Sequence, residues 1–222
     1  MTNLLYMEKF EVINVPKSSL KDGFNNGPGG THTSRTMLLK ELTLLLESCP
    51  ATCDFAYYER AILLDNVLMK QTDSTRRRTL RSMRELYALR REVPLFRALR
   101  DLWDEDQDAR PLLALQCAAA RDPLLRATSS LILELPIRAT VSSSELADAV
   151  KEAFPDRYNL STLNKIGRNT ASSWTQAGYL EGRTSKTRVN IKPTASSVAY
   201  AILQGHLCGE RGDALFDTIW TR

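Results

Sequence analysis

Six of the nine prolines divide the middle of the chain into short segments, within which apolar residues recur at helical spacing. These prolines are Pro50, Pro94, Pro111, Pro123, Pro136 and Pro155. Because proline lacks a backbone N–H and clashes with the preceding helical turn, a helix seldom continues through it. The sequence therefore predicts a mainly α protein whose helices end close to these positions.

Residues 34–138 carry the first long series of helical patterns, and we interpret them as a helical domain. Helices are predicted for Ser34–Ser48, for a segment capped by Asp54 and ending near Lys70, for one capped by Asp73 or Ser74 and ending near Glu92, and for Leu95–Asp104, Leu112–Arg121 and Leu124–Leu135. The preceding residues 1–33 hold one β-like run, Phe10–Val15, and the turn-forming sequence Asn25-Asn26-Gly27-Pro28-Gly29-Gly30. That composition cannot sustain a helix and predicts a flexible arm and linker.

The pattern changes after Pro136, where two helices are followed by two short strands. Ser142 and Glu145 form a capping box at the start of the first helix. The second helix is predicted from about Ser161 to Ala177, with Gly178 as a left-handed cap. Strands are predicted for Tyr179–Arg183 and Thr187–Lys192.

This order predicts a winged helix-turn-helix over 139–192, a small α+β unit with a β-hairpin as its wing. The remaining residues, 193–222, are predicted to form closing C-terminal helices capped by Thr194 and Asp213, which pack on the body of the protein. The fold class expected from the sequence is therefore a helical domain followed by a winged helix-turn-helix and C-terminal helices.

The second helix of this unit is predicted to have one apolar face and one face of hydrogen-bond donors. The inward residues are Leu163, Ile166, Thr170, Trp174 and Ala177, and the outward residues are Lys165, Arg168, Asn169, Ser172 and Gln176. A donor-rich face without carboxylates suits a helix that lies in the major groove of DNA. The hairpin adds the cations Arg183, Lys186 and Arg188, which we predict to hold phosphates. The alternative is a small α+β unit with a solvated polar helix.

A second basic region lies between Ser74 and Arg91, where seven arginines accompany one acid. Its candidate DNA-binding residues are Arg76, Arg77, Arg78, Arg81 and Arg84. Cations in the first turn of a helix oppose the helix dipole, whereas a bound phosphate gains from both the dipole and the arginines. Residues 54–92 are an open candidate for a second helix-turn-helix. The alternative is a charged surface that faces the acidic residues Asp101, Asp104, Glu105, Asp106 and Asp108.

Other classes of site find no support in the sequence. The four cysteines form no CxxC pair, and neither histidine stands at zinc-ligand spacing from a cysteine, so no metal site and no cofactor is expected. The phosphate-loop, GxSxG and HExxH motifs are absent, and the chain is predicted not to be an enzyme. No signal peptide and no long apolar run is apparent, which predicts a reduced cytoplasmic protein that does not bind membranes.

Three motifs, in their order and spacing, carry a resemblance to a known family. They are Asp73-Ser-Thr-Arg-Arg-Arg-Thr-Leu-Arg81, then Ser161-Thr-Leu-Asn-Lys-Ile166 leading to Ala177-Gly-Tyr-Leu180, and then Gly209-Glu-Arg-Gly-Asp-Ala-Leu-Phe-Asp-Thr-Ile-Trp220. Over about residues 34–222 the chain resembles the BrxA family of bacteriophage-exclusion (BREX) defence systems. The resemblance implies a helical, non-catalytic protein that binds double-stranded DNA, with a methyltransferase and ATPases as further components of the system.

Two other functions fit the same sequence features. One is an autonomous winged-helix transcriptional regulator, which a dimeric form would suit. The other is a protein-interaction scaffold of a defence complex, in which the winged unit contacts a partner protein. The sequence leaves the oligomeric state open.

Overall fold

A computed structural model of the chain describes residues 13–222, so the first half of the β-like run predicted for Phe10–Val15 lies outside them, and the second half, 13–15, is not a strand. The protein is mainly helical, with one small antiparallel sheet. Its α-helices are α1 (Leu39–Ser48), α2 (Phe55–Leu63), α3 (Asp73–Tyr87), α4 (Pro94–Trp103), α5 (Arg110–Arg121), α6 (Pro123–Arg126), α7 (Ser129–Glu134), α8 (Ser143–Ala153), α9 (Leu160–Gln176) and α10 (Ala195–Leu207). Shorter 3-10 helices cover Lys17–Asp22, Thr31–Thr33 and Gly212–Asp217. No helix in the described part of the chain has the length and apolarity needed to span a membrane.

Several helix caps are those predicted from the sequence. The Asp54 side chain accepts a hydrogen bond from the Tyr57 N–H, and Ser142 and Glu145 form the expected capping box at α8. Thr194 caps α10. The cap of α3, however, is Thr72, one residue before the predicted candidates. These caps are local hydrogen bonds between residues close in sequence, which explains why the sequence indicates them.

Three helices are shorter than the apolar pattern predicts. After α2, the Asn66 side chain bonds both the N–H and the carbonyl of Lys70 and forms a turn in place of further helix. After α3, Ala88 and Leu89 both adopt positive φ angles, 63° and 57°, while buried in the core. The helix predicted for Leu124–Leu135 is divided into α6 and α7, because the Thr128 hydroxyl donates to the Leu125 carbonyl at 2.7 Å.

The closing segment also differs from the prediction. Gly212–Asp217 is a 3-10 helix that follows Arg211, and Asp213 does not cap it. Phe216 is exposed, whereas Trp220 is buried against the ring of Phe24. A 3-10 turn places side chains three residues apart on one edge, so only part of the expected helical face reaches the core.

Residues 15–33 pack on the body instead of forming a flexible linker. Val15 and Phe24 belong to the main hydrophobic core, and His32 is fully buried. The buried Arg126 guanidinium holds this segment by donating to the carbonyls of Ile13 and Asn25. The same core continues into the C-terminal half through residues such as Trp174, so it joins the first and last parts of the described chain.

The sheet brings together three very short strands, β1 (Thr140–Val141), β2 (Leu180–Glu181) and β3 (Lys186–Arg188). β3 lies in the centre, and both neighbours pair with it in antiparallel orientation. The strands of the hairpin are shorter than predicted, and β1 was not predicted. The sheet closes the end of α9, since β2 follows that helix after the left-handed Gly178.

Close packing of α8 on α9 depends on Gly167. A Cβ atom at this position would lie 2.0 Å from the Ser143 carbonyl oxygen and 3.0 Å from the Ala147 Cβ. Any side chain would therefore force the two helices apart. The absence of a side chain is what lets α9 lie at its observed depth against α8.

We expect Gly167→Ala to lower the free energy of unfolding by up to about 2 kcal/mol, because overpacking costs up to about 3 kcal/mol where the clash is with backbone, and helix propensity returns only about 1 kcal/mol. Urea denaturation monitored by circular dichroism would measure the change. Gly29→Ala is the control, since nothing lies within 4 Å of a Cβ there. Equal stability of the two variants would contradict the packing argument.

Candidate nucleic-acid interface

Helix α9 has one exposed face and one face that packs in the core. Asn159 caps the helix by accepting from the Thr162 N–H at 2.9 Å. The residues predicted to face inward are all buried: Leu163, Ile166, Thr170, Trp174 and Ala177. On the opposite side Lys165 and Arg168 are exposed, and neither forms an ion pair with any residue in the range 13–222.

Asn164 is an exposed member of this face that the sequence prediction omitted. It precedes Arg168 by four residues, so the two side chains are neighbours on the helix surface. The helical spacing alone was sufficient to find it. Its amide adds a donor and an acceptor to the cationic stripe of Lys165 and Arg168.

Asn169 and Ser172 are less available than predicted. The Asn169 side-chain amide donates to the His32 carbonyl at 2.9 Å, on the flank of α9 that the 3-10 helix Thr31–Thr33 covers. Ser172 remains half-exposed, and its hydroxyl accepts from the Gln176 amide at 3.1 Å. The free donor face is therefore narrower than the sequence indicates, and it is centred on Lys165 and Arg168.

The three cations of the hairpin lie in three different environments. Arg183 is exposed in the turn between β2 and β3. Lys186 is half-buried, and its ammonium donates to the Gly182 carbonyl at 2.6 Å, which closes the turn. The expectation of an exposed Arg188 is wrong, since only 7% of this residue is accessible to solvent.

Arg188 is buried because its guanidinium serves the fold. The group lies over the Tyr179 ring, 4.6 Å from the ring centre, and donates to the Val189 carbonyl. Burial lowers the pKa of Arg188, an effect that the neighbouring Tyr179 partly offsets. A charge held by a ring and a carbonyl in this way is not presented to a phosphate outside the protein.

The arginines of α3 divide into a paired and an unpaired group. Asp73, in the first turn, lies 2.7 Å from Arg77 Nε and 3.9 Å from Arg76 Nη2, and Arg76 is half-buried. Arg76 and Arg77 lie near the positive end of the helix dipole, where we expected a phosphate to offset their charge. The Asp73 carboxylate, in the same turn, already offsets part of it. Arg78, Arg81 and Arg84 are exposed and have no ion-pair partner within residues 13–222.

The acidic segment 101–108 does not neutralise α3. Asp101 pairs with Arg91, beyond the end of the helix, at 2.9 Å, and Asp104 pairs with the buried Arg100 at 2.7 Å. No ion pair within the described residues links this segment to the five candidate arginines of α3. The proposed alternative for the arginines therefore lacks the contacts it requires.

A buried polar network fixes α9 against the body. His32 Nδ1 lies 2.8 Å from Asp122 Oδ2, and His32 Nε2 lies 2.8 Å from Ser173 Oγ. The Asp122 carboxylate also accepts from the backbone N–H groups of His32, Leu124 and Leu125. Ser173 Oγ accepts from the Met37 N–H at 2.9 Å.

Although an aspartate, a histidine and a serine in a row resemble a hydrolytic triad, these three side chains serve a structural purpose. All three residues are at most 1% exposed, so no substrate reaches Ser173 Oγ. This hydroxyl also already bonds to the Met37 N–H and the Asn169 carbonyl. No local sequence pattern indicates this network, because its members are 90 and 51 residues apart in the chain.

The pKa of Asp122 reflects this environment. Burial alone would raise it, but the charge and hydrogen bonds of His32 and the Leu125 N–H together hold the pKa of this carboxyl below its ordinary value. The carboxylate is therefore ionised at neutral pH.

Burial disfavours the reactive thiolate form of two of the cysteines. Burial, aided by Cys53, raises the pKa of Cys49 to about 11, and burial raises that of Cys117 to about 11.

No group of three or more histidine, cysteine or acidic residues within 13–222 is arranged to hold a metal ion. No protein-family model matches the chain, and no curated protein gives a significant match to its sequence.

We expect Asp122→Asn to lower the free energy of unfolding at neutral pH by about 3–5 kcal/mol, because it removes one partner of a buried pair. Since folding lowers the pKa of Asp122, its contribution is present above about pH 4 and is lost as the pH falls through the folded-state value. Urea titrations at several pH values would follow the difference from the unsubstituted protein, which should shrink in acid. Asp148→Asn, at an exposed position, is the control. A difference that stays constant down to pH 3 would contradict this account.

Proposed function

We propose that this chain is a non-catalytic protein that binds double-stranded DNA through a winged helix-turn-helix formed by β1, α8, α9, β2 and β3. The observation that carries the proposal is the exposed face of α9. There Lys165 and Arg168 stand beside Asn164 without a carboxylate partner among the described residues. Arginine and lysine pair with guanine or phosphate, and asparagine pairs with adenine.

The arrangement around α9 supports a winged unit. α8 packs closely on α9 through Gly167, and β1, which precedes α8, pairs with β3 of the hairpin that follows α9. The turn of that hairpin, 182–185, carries the exposed Arg183. With α9 in a major groove, this short wing would contact the adjacent phosphates with Arg183 as its principal cation.

We further propose that this DNA binding belongs to a bacterial anti-phage system. Support comes from the order and spacing of the three motifs that resemble the BrxA family. In such a system the protein would act beside a methyltransferase and ATPases. An autonomous regulator would instead recognise one operator sequence, whereas a scaffold would have no affinity for DNA.

The central test is the triple variant Lys165→Ala, Arg168→Ala and Arg183→Ala. We expect duplex DNA of mixed sequence to bind the unsubstituted protein with steep salt dependence, and the variant to bind more weakly. Each lost phosphate contact should reduce the slope of log affinity against log salt by about 0.9, or up to about three units in all. Fluorescence anisotropy between about 50 and 200 mM salt would measure both quantities.

A matched control removes the same charge elsewhere. Lys17, Lys40 and Arg97 are exposed cations outside the winged unit, and their replacement by alanine should leave the slope nearly unchanged. Equal weakening by both triple variants would mean that net charge alone drives binding. If no duplex binds at low salt, the proposal fails and the scaffold function is favoured. In cells, the first variant should also lose restriction of phage plaque formation while the control retains it.

The arginines of α3 are expected to form a second contact. Arg78→Ala with Arg81→Ala removes two exposed charges that have no described ion-pair partner, so the salt slope should fall by up to about two units. Thermal stability should change little, since exposed charges contribute about 0–1 kcal/mol. As a comparison, Arg77→Ala removes a charge already paired with Asp73 and should have the smaller effect on DNA. Unchanged DNA affinity in the double variant would confine the interface to the winged unit.

A further inference from the structure

An open groove of about 440 Å³ lies away from the face of α9. It is bounded by the 3-10 helix Lys17–Asp22, by the C-terminal end of α3 and by the C-terminal end of α5. Its volume is within the range of small-molecule sites, about 300–1,000 Å³. Apolar atoms of Leu20 and Val93 form part of its wall.

The groove is strongly cationic. Lys21, Arg84, Arg90 and Arg121 line it together with one acid, Glu85, which leaves an excess of three positive charges. None of the four cations forms an ion pair with any residue between 13 and 222. Glu85 is itself engaged, because its Oε2 accepts from the Thr31 hydroxyl at 2.8 Å.

Arg121 offsets the negative end of α3, which would otherwise disfavour an anion in the groove. The last carbonyls of a helix carry partial negative charge, which disfavours anions at a C-terminal end. The Arg121 guanidinium donates to the carbonyls of Glu85 and Arg84 in the last turn of α3, at 2.9 and 3.3 Å. It also donates to Gly23 across the groove, so it ties two walls together while covering the negative end of α3.

The other cations retain free donors. Arg90 lies with its guanidinium over the Phe55 ring, 5.0 Å from the ring centre, which occupies the flat face of the group and leaves its N–H edges available. The side chains of Lys21 and Arg84 are exposed and donate to no described residue. Three cations that donate to no described residue therefore line a space with partly apolar walls.

We propose that this groove binds a small molecule with a diphosphate group, such as a nucleoside diphosphate. A diphosphate carries about three negative charges near neutral pH, which matches the excess charge of the groove. Arg84 and Arg90 would pair with phosphate oxygens through their N–H edges, and Lys21 would add a third charge. The groove includes no residue of the winged unit, and Arg84 is the one candidate DNA-binding residue that it shares with α3.

Isothermal titration calorimetry of the full chain with ADP would test the proposal, with adenosine as the uncharged comparison. ADP should bind and adenosine should not. Arg84→Ala with Arg90→Ala should weaken ADP binding by about a hundredfold or more, since each charged hydrogen bond that is lost costs about tenfold or more. Arg81→Ala removes an exposed arginine one turn earlier on α3 that does not line the groove, so it should leave ADP affinity unchanged.

Three results would overturn the proposal: no heat with ADP at millimolar concentration, adenosine binding as tightly as ADP, or equal weakening by Arg81→Ala. The unsubstituted protein could also fail to bind ADP while Arg84→Ala with Arg90→Ala weakens the binding of duplex DNA. That result would assign the groove to a DNA backbone phosphate and would likewise overturn the proposal. Failure of DNA binding in the α9 variants bears only on the proposed function, because those variants should bind ADP normally.

Discussion

The pairing of Asp122 with His32 is the interaction on which the arrangement of α9 depends. Asp122 ends α5, caps α6 and accepts from both the backbone and the ring of His32, whose other ring nitrogen faces Ser173 of α9. One ionised carboxylate thus joins the arm, the body and α9. The fit is tight, because a Cβ on Gly30 would lie 2.1 Å from Asp122 Oδ1. A buried charge with this many donors is stable only while every partner stays in place, so the network favours one relative position of the three elements.

This position has a consequence for the surface of α9. The network and the Asn169 amide occupy one flank of the helix, and the packing on α8 occupies the inner face, so the remaining stripe contains Lys165 and Arg168. A helix held on two sides presents its exposed side chains at defined positions, and specific binding of a ligand requires such fixed positions. The same packing therefore covers the flank that carries Asn169 and Ser173 and leaves Lys165 and Arg168 exposed.

Local patterns predicted more of this molecule than of its interface. The capping box of α8, the Thr194 cap of α10, the inward face of α9 and the left-handed Gly178 follow from residues a few positions apart, and each of these was predicted from the sequence. The use of Asn169 by His32 and the docking of the arm depend on contacts over long sequence separations. Helical periodicity indicates which side of a helix faces away from its own core, but not which later or earlier segment covers that side.

The arginines illustrate why charge counted from sequence overstates a polyanion-binding surface. Arg100, Arg121, Arg126 and Arg188 each donate to main-chain carbonyls, and three of them are buried. Guanidinium groups suit this task because their planar forks satisfy several carbonyls at once, which ties separate segments together. The exposed cations that remain include Lys165 and Arg168 of α9, together with Arg78, Arg81 and Arg84 of α3. Since an exposed, unpaired cation attracts an anion far more than one already surrounded by carbonyl dipoles, the distribution of free cations, and not the net charge of +4, determines where a polyanion would bind.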